Sequence, residues 1–235
     1  LTIGLAELRK YIGFDFTVQA VTLDPQFGGR PMDYTVLQEL FAQYDIPYEI
    51  RRTEIGPVVF DYRKEKNPCS MCAKMRRGAL HNALREHGIT KIALGHHFND
   101  VIETTVLGMF FGSQLQAMLP KLHSTNFEGM ELIRPLYCIH EEDILAWKQY
   151  NDLEFIQCAC RFTENCTMCD NGGGGSKRQE VKILLRRLRR DNPNIERSIF
   201  NSIHSVNLDM MPGYKTGGVL HSFLENYDGH AGENR

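Results

Sequence analysis

Apolar positions recur along the chain with two periods, one helical and one extended. Leu1, Leu5, Leu8 and Ile12 fall at helical spacing with Glu7, Arg9 and Lys10 on other faces, predicting an N-terminal helix. Phe16–Leu23 (FTVQAVTL) is apolar and β-branched and is ended by Asp24-Pro25 and then Gly28-Gly29, so it reads as a buried strand followed by a loop. Residues 33–45 read as a helix with Val36, Leu37, Leu40 and Phe41 on one face, and Pro47–Arg51 as a short strand. Residues 52–68 are polar and irregular, and residues 70–87 read as a helix. Lys91–Leu94 predicts a short buried strand, Gly95-His96-His97 a turn, and residues 99–111 a long apolar helix. Beyond these come a strand at Ile133–Leu136, a helix at Glu141–Tyr150 capped by His140 or its neighbour, and a strand at Leu153–Gln157. Residues 177–190 form a basic helix candidate whose apolar stripe is Val181, Leu184, Leu185 and Leu188.

Strands alternating with helices at this spacing predict an α/β fold with a doubly wound, mainly parallel sheet. Ligands of such sheets sit beyond the carboxyl ends of the strands. Asp24, Gly95-His96-His97 and Cys158 each fall just beyond a predicted strand end, so three chemical features converge on one edge. The expected organisation is an α/β domain over residues 1–160, a Cys- and Gly-rich loop with a basic helical region over 161–227, and a disordered polar tail over 228–235. Residues 170–176 (DNGGGGS) read as a native mobile loop.

Apolar residues make up 42% and charged residues 24% of the chain, an ordinary globular composition that excludes disordered, collagen-like and coiled-coil classes. The apolar runs are far shorter than the ~20 residues a membrane helix needs. No signal peptide opens the chain, which leads to the expectation of a cytoplasmic protein without a membrane partner. Net charge is −2 but unevenly distributed. Residues 61–77 carry a balance of +4, with Lys74, Arg76 and Arg77 at its end, and residues 177–191 carry +5, including Lys177, Arg178, Arg186 and Arg187. Two basic islands on an acidic body point to a localised anionic partner, although a solvated helix face accounts for either island alone.

The seven cysteines change the picture most. They stand as Cys69-x-x-Cys72, a single Cys138, Cys158-x-Cys160 and Cys166-x-x-Cys169, an odd number in clusters rather than a spread secreted framework. Metal or redox chemistry in a reducing compartment fits them better than disulfides. Thiolates at i and i+3 can face one site, favoured by the cations at Lys74, Arg76 and Arg77. With one or two remote cysteines they could hold tetrahedral zinc or an iron–sulfur cluster. Cys138 reads as a small core residue. In the segment 92–104, Asp100 and Glu103 are three apart at a helix start and share a face that could hold Mg²⁺ through oxygen ligands. The favourable helix dipole explains acids there equally well.

The order C-S-M-C-x-x-x-R-R-G, then K-I-A-L-G-H-H-x-x-D, then M-F-F-G, then I-R-P-L-x-x-C resembles the TtcA-type tRNA 2-thiocytidine synthases of the PP-loop ATP pyrophosphatase superfamily. The resemblance spans about residues 1–210. It implies an adenine nucleotide α-hydrolase-like fold and an ATP- and Mg²⁺-dependent, [4Fe-4S]-containing tRNA sulfurtransferase. The implied reaction adenylylates the C2 oxygen of an anticodon-loop cytidine, at position 32, and replaces it with sulfur. Carried over residue by residue, it makes Cys69, Cys72 and Cys158 the cluster ligands, with Cys160 and Cys166 as alternatives for the third. Asp100 becomes the catalytic or Mg²⁺-linked carboxylate, whereas Asn99 stands where the family often has an acid. Asp24, Leu94, Gly95 and His96 fall in the nucleotide region. Lys74, Arg76, Arg77, Lys177, Arg178, Arg186 and Arg187 become tRNA contacts. A cysteine-desulfurase-type sulfur donor is a further implied partner, and a homodimer is compatible with the family.

One departure is an absence. The superfamily's S-G-G-x-D-S loop, which cradles ATP phosphates, is not among these 235 residues. In relatives it immediately precedes a helix like Leu1–Ile12, giving the expectation that the loop and its strand lie upstream. Two rival readings remain open on sequence: a zinc-stabilised RNA-binding module without catalysis, and a tRNA-modifying enzyme of lysidine-synthase type. Small-molecule thiolation on the same scaffold is a third.

Overall fold

The computed structural model describes residues 1–27, 32–63, 68–156 and 177–227, with the side chains of Cys69 and Asn226 outside that description. The chain falls into two compact units, Leu1–Ile183 and Leu184–Arg235.

The first unit is built from βαβ logic. Helix α1 (Thr2–Leu8) buries Ile3 and Ala6. Strand β1 (Ala20–Asp24) pairs in parallel with β2 (Tyr48–Arg52), from Ala20 opposite Tyr48 to Asp24 opposite Arg52. Helix α2 (Thr35–Gln43) makes the crossover. Ala6, Ala20, Phe41 and Ile46 form one core cluster, with Leu37 and Tyr48 against it. A parallel pair needs a connection long enough to return to the same end of the sheet, and a helix supplies it.

A π-helical turn, Pro57–Tyr62, precedes α3 (Pro68–Glu86), which begins on a proline whose fixed φ suits a first helical turn. Strand β3 (Lys91–Ala93) leads to α4 (Phe98–Phe111). Strand β5 (Glu131–Ile133) lies between β3, which it meets in parallel, and β4 (Lys121–His123), which it meets antiparallel. Leu84, Ile92 and Met130 form the second core cluster, and Val21 of β1 packs on it. Phe98, Val101, Ile102, Thr105 and Val106 are the buried stripe of α4, at i, i+3, i+4, i+7 and i+8. Each such apolar side chain contributes about 1.5–3 kcal/mol of transfer free energy. Helix α5 (Glu141–Tyr150) follows.

Helix α6 (Lys177–Asp191) gives its first half to this unit, where Val181 is fully buried, and its second half to the next. In the second unit α7 (Ile195–His204) is followed by a hairpin of β6 (Gly213–Thr216) and β7 (Val219–Ser222), then α8 (Leu224–Tyr227). Gly217 and Gly218 both take positive φ at the hairpin turn, the conformation a two-residue turn of this hand requires.

Several local expectations shift. The first strand is shorter than Phe16–Leu23, because residues 16–19 have no strand partner. The third helix, expected over 70–87 as an element following the cysteine pair, starts at Pro68, so both Cys69 and Cys72 lie inside α3. The strand expected at Ile133–Leu136 ends at Ile133, where Pro135 cannot donate a ladder hydrogen bond, and a turn follows. Residues 153–156 take no strand conformation, so Cys158 does not follow a described strand. The tail from residue 228 and the loop 170–176 lie outside the described residues. No described helix is long and apolar enough to cross a membrane.

Candidate functional site

The carboxyl ends of β1 and β3 carry two of the three predicted strand-end features, and the third, Cys158, lies outside the described residues. At the end of β1, Asp24 is 2% exposed. Its carboxylate accepts the Gln26 N–H at 2.9 Å, and its carbonyl accepts the Thr53 N–H at 2.8 Å and the Thr53 hydroxyl at 3.1 Å. Gln26 takes a left-handed φ of 53° in this turn. The Gly56 N–H clamps the same turn through the Pro25 carbonyl at 2.7 Å. Burial, with Asp24 alongside, pushes the Tyr34 phenol up to about 12. Asp24 thus shapes the loop after β1 while its side chain is largely enclosed.

The segment after β3 is open by contrast. The Leu94 N–H donates to Ile133 on β5 at 3.0 Å, continuing the sheet by one residue. Gly95 is exposed, and a Cβ there would meet nothing within 4 Å. His96 is half-buried and its Nδ1 has no partner. Burial pushes its pKa below the usual imidazole value, against the opposing pull of the Asp100 carboxylate. His97, in extended conformation, begins α4. Asp100 Oδ2 accepts the His97 N–H at 3.1 Å, satisfying one of the donors a helix N-terminus leaves unpaired. Asp100 is therefore held at the ligand edge by local geometry that the spacing in G-H-H-x-x-D anticipates.

Arg178, from the first turn of α6, reaches the same carboxylate. Its Nη2 donates to Asp100 Oδ1 at 2.9 Å and its Nε to Glu103 Oε2 at 3.0 Å. Lys182 Nζ lies 3.6 Å from Glu103 Oε1 and 3.6 Å from Glu141 Oε1. Two cations thus already neutralise Asp100 and Glu103, and a Mg²⁺ held by that pair would have to displace Arg178. The fit of a resident Mg²⁺ there is poor.

The other sequence-chosen residues divide. Cys69 and Cys72 sit one turn apart in the first turns of α3, with Cys72 half-buried. Lys74, Arg76 and Arg77 are exposed behind them, and the i, i+3 spacing of Cys69 and Cys72 on one helix fits two of the three ligand positions that the resemblance assigns to a cluster. Cys158, Cys160 and Cys166 lie outside the described residues, and no group of three metal-ligating side chains forms among the described ones. Cys138 is exposed on the turn after β5 rather than a core residue, because the strand ends before it. Lys177 lies 4.9 Å over the Phe111 ring and pairs with Glu180, whereas Arg186 and Arg187 are exposed in the second unit.

Three participants were missed in the sequence. Lys182 and Glu141 belong to the charged ladder, and no local pattern links them. Arg134, next after β5, is half-buried; its Nη1 donates to the Leu119 carbonyl, its Nε is buried without a partner, and burial lowers its pKa. Its signals were its place at a strand end and within the I-R-P-L segment.

Parallel strand pairs joined by helical crossovers, with a cysteine-bearing helix followed in sequence by an acid-bearing one, define a class of α/β domain. Residues 6–161 match the PP-loop domain family, and the chain belongs to it. The chain is 36% identical over 204 residues to the tRNA-cytidine(32) 2-sulfurtransferase of Vibrio parahaemolyticus, a match covering 86% of this chain and 64% of the relative. It is 33% identical over 221 residues to the enzyme of that name from Paracidovorax citrulli, covering 93% of this chain and 66% of that one. The chain therefore spans about two thirds of the length of these relatives, just under that fraction in both. Among solved structures it is similar to the U34-tRNA thiolase NcsA from Methanococcus maripaludis with its [4Fe-4S] cluster. That match has a TM-score of 0.65 at 18% identity and covers 91% of this chain and 72% of that one, a likeness of fold.

Proposed function

We propose that the protein takes part in ATP-dependent thiolation of tRNA, replacing the C2 oxygen of an anticodon-loop cytidine, at position 32, with sulfur. The observation that carries this reading is a PP-loop domain whose α3 opens on the Cys69-x-x-Cys72 pair. Similarity to tRNA-cytidine(32) 2-sulfurtransferases over most of this chain supports the same substrate.

In this reading Cys69, Cys72 and a third cysteine, Cys158 with Cys160 and Cys166 as alternatives, hold a [4Fe-4S] cluster. Three thiolates leave one iron open, and that open position is what the cluster supplies to a sulfur-transfer reaction. The chain's own residues do the rest. Asp24 holds the β1 turn, and Leu94, Gly95 and His96 form the open wall against which an adenine nucleotide lies. Asp100, held from both sides, presents its paired carboxylate at the edge where the activated base arrives. Any Mg²⁺ enters with the ATP phosphates rather than on a dedicated protein cage, as that ion commonly does. Lys74, Arg76 and Arg77 follow the cysteine pair and fit the phosphate backbone of an anticodon loop, whose bases splay out without breaking a duplex. A sulfur donor of cysteine-desulfurase type, a homodimer and a cytoplasmic location complete the reading.

The test is iron, acid-labile sulfide and visible absorption on anaerobically purified protein, with and without Cys69→Ser and Cys158→Ala, together with mass spectrometry of tRNA for thiolated cytidine. About four irons per chain, lost in both variants, support the reading. Iron retained in the Cys158 variant moves the third ligand to Cys160 or Cys166. Zinc in place of iron after anaerobic reconstitution overturns it in favour of a zinc-stabilised RNA-binding module.

A further inference from the structure

Helix α6 meets the sheet edge through charges that alternate in sign. From Asp100 through Arg178, Glu103 and Lys182 to Glu141, each neighbour is an ion-pair partner of the next. The central carboxylate, Glu103, has a side chain only 5% exposed. A buried carboxylate is tolerated when paired and strongly destabilising when left alone, so the two cations are required where they stand. Arg178 serves two different acids with two different nitrogens, Nη2 to Asp100 at 2.9 Å and Nε to Glu103 at 3.0 Å. That division uses the rigid planar fork of a guanidinium, which a lysine ammonium does not reproduce.

The consequence falls on Asp100. One of its oxygens accepts the His97 N–H, fixed by the start of α4, and the other accepts Arg178. The carboxylate is therefore held from two sides by groups 81 positions apart in sequence (97 and 178). Sequence alone assigned Arg178 to the RNA surface with the rest of its basic island. In the fold two of its donors, on Nε and Nη2, are committed to carboxylates of its own chain, with the side chain 44% exposed.

We propose that Arg178 is a positioning residue, holding the Asp100 carboxylate in one orientation through a fork shared with Glu103, and that it is not an RNA contact. Lys182 supports it by bridging Glu103 to Glu141 at the start of α5. The proposal rests on the reading of Asp100 as the carboxylate of the reaction.

The test compares wild type, Arg178→Gln and Arg178→Lys in the full chain, by tRNA dissociation constants at several salt concentrations and by single-turnover thiolation at saturating tRNA and ATP. Displacement of a reacting group is expected to lower the saturated rate roughly 10-fold or more in both variants. The dissociation constant and its salt slope are expected to stay at the wild-type values. A salt slope reduced by about one, with weaker tRNA binding, overturns the proposal whatever the rate does. A second measurement separates this from the functional reading: urea midpoints of Asp100→Asn, Arg178→Gln and the double variant. The losses are expected not to add, the double variant falling little further than the worse single one. Additive losses overturn the bridge itself. Wild-type protein that thiolates no tRNA, with non-additive midpoints, sinks the functional reading and leaves the bridge standing.

Discussion

The side-chain oxygen of Asn99 accepts the backbone N–H of Glu141 at 2.9 Å. It joins the first turn of α4 to the first turn of α5, and the Phe98 N–H donates to the Ile139 carbonyl at 3.0 Å beside it. A residue that looked like a family acid lost to amide is thus a cap supplied by a neighbouring helix. Asn99→Ala is expected to cost about 1 kcal/mol, the usual worth of a cap, read by urea denaturation. Asn99→Asp keeps an acceptor but adds a charge beside Glu141, Glu142 and Asp143, so it is expected to recover only part of the loss.

Gly56 is required by close approach. A Cβ built there would stand 2.5 Å from the Pro25 carbonyl oxygen and 3.0 Å from that of Gln26. Both are backbone atoms of the turn that Asp24 shapes, so relief means moving the loop after β1, which the proposed function places beside the nucleotide. Gly56→Ala is expected to destabilise by about 1–3 kcal/mol and to weaken ATP binding by calorimetry. Gly4→Ala, in open space on α1, is the matched control and is expected to be neutral or slightly stabilising.

His81 makes stability depend on acid. It is buried in α3, stacked on Phe127 with ring centroids 4.0 Å apart, and its Nδ1 has no partner. Burial holds its pKa below the ordinary imidazole value. A base with a depressed folded pKa takes up its proton more readily when unfolded. Its contribution is therefore full above the unfolded value of about 6.5 and is lost as pH falls through the lower folded value. Urea midpoints at pH 7.5 and 5.5 are expected to differ in that direction, and His81→Phe is expected to flatten the difference. An unchanged pH dependence in the variant would assign the effect elsewhere.

Arg76 and Arg77 are exposed on α3, four and five residues beyond Cys72. If they meet the RNA backbone, each change to Ala lowers the salt slope of tRNA binding by roughly one and weakens all tRNAs alike. An unchanged slope would make this island a solvated helix face. The contrast with Arg178, whose slope is expected not to move, separates two arginines that look equivalent in sequence.

Helix α4 was legible because its signals are local. The apolar run over 99–111 and the acid at its start, Asp100, lie within one segment, and the helix forms over Phe98–Phe111 with Asp100 in its first turn. The Leu153–Gln157 strand misled because a short apolar run lacks the length that separates strand from coil, and residues 153–156 found no neighbouring strand. The basic helix shows what a charge count leaves out: Arg178 and Lys182 form ion pairs with acids on α4 and α5, while Arg186 and Arg187 pair with none of these acids, and Arg178, Arg186 and Arg187 are all exposed.

The sequence by itself determined the alternation of elements, a cysteine pair adjoining a basic helix, and the acid at the head of the next. Each depends on neighbours a few residues apart, where backbone geometry leaves little choice. Only the tertiary structure decided which cation meets which acid. Arg178 and Asp100 are 78 positions apart, and nothing in either segment marks the other. Their pairing follows from the need to match Glu103, because an acid taken out of water is stable only where the fold brings it a cation.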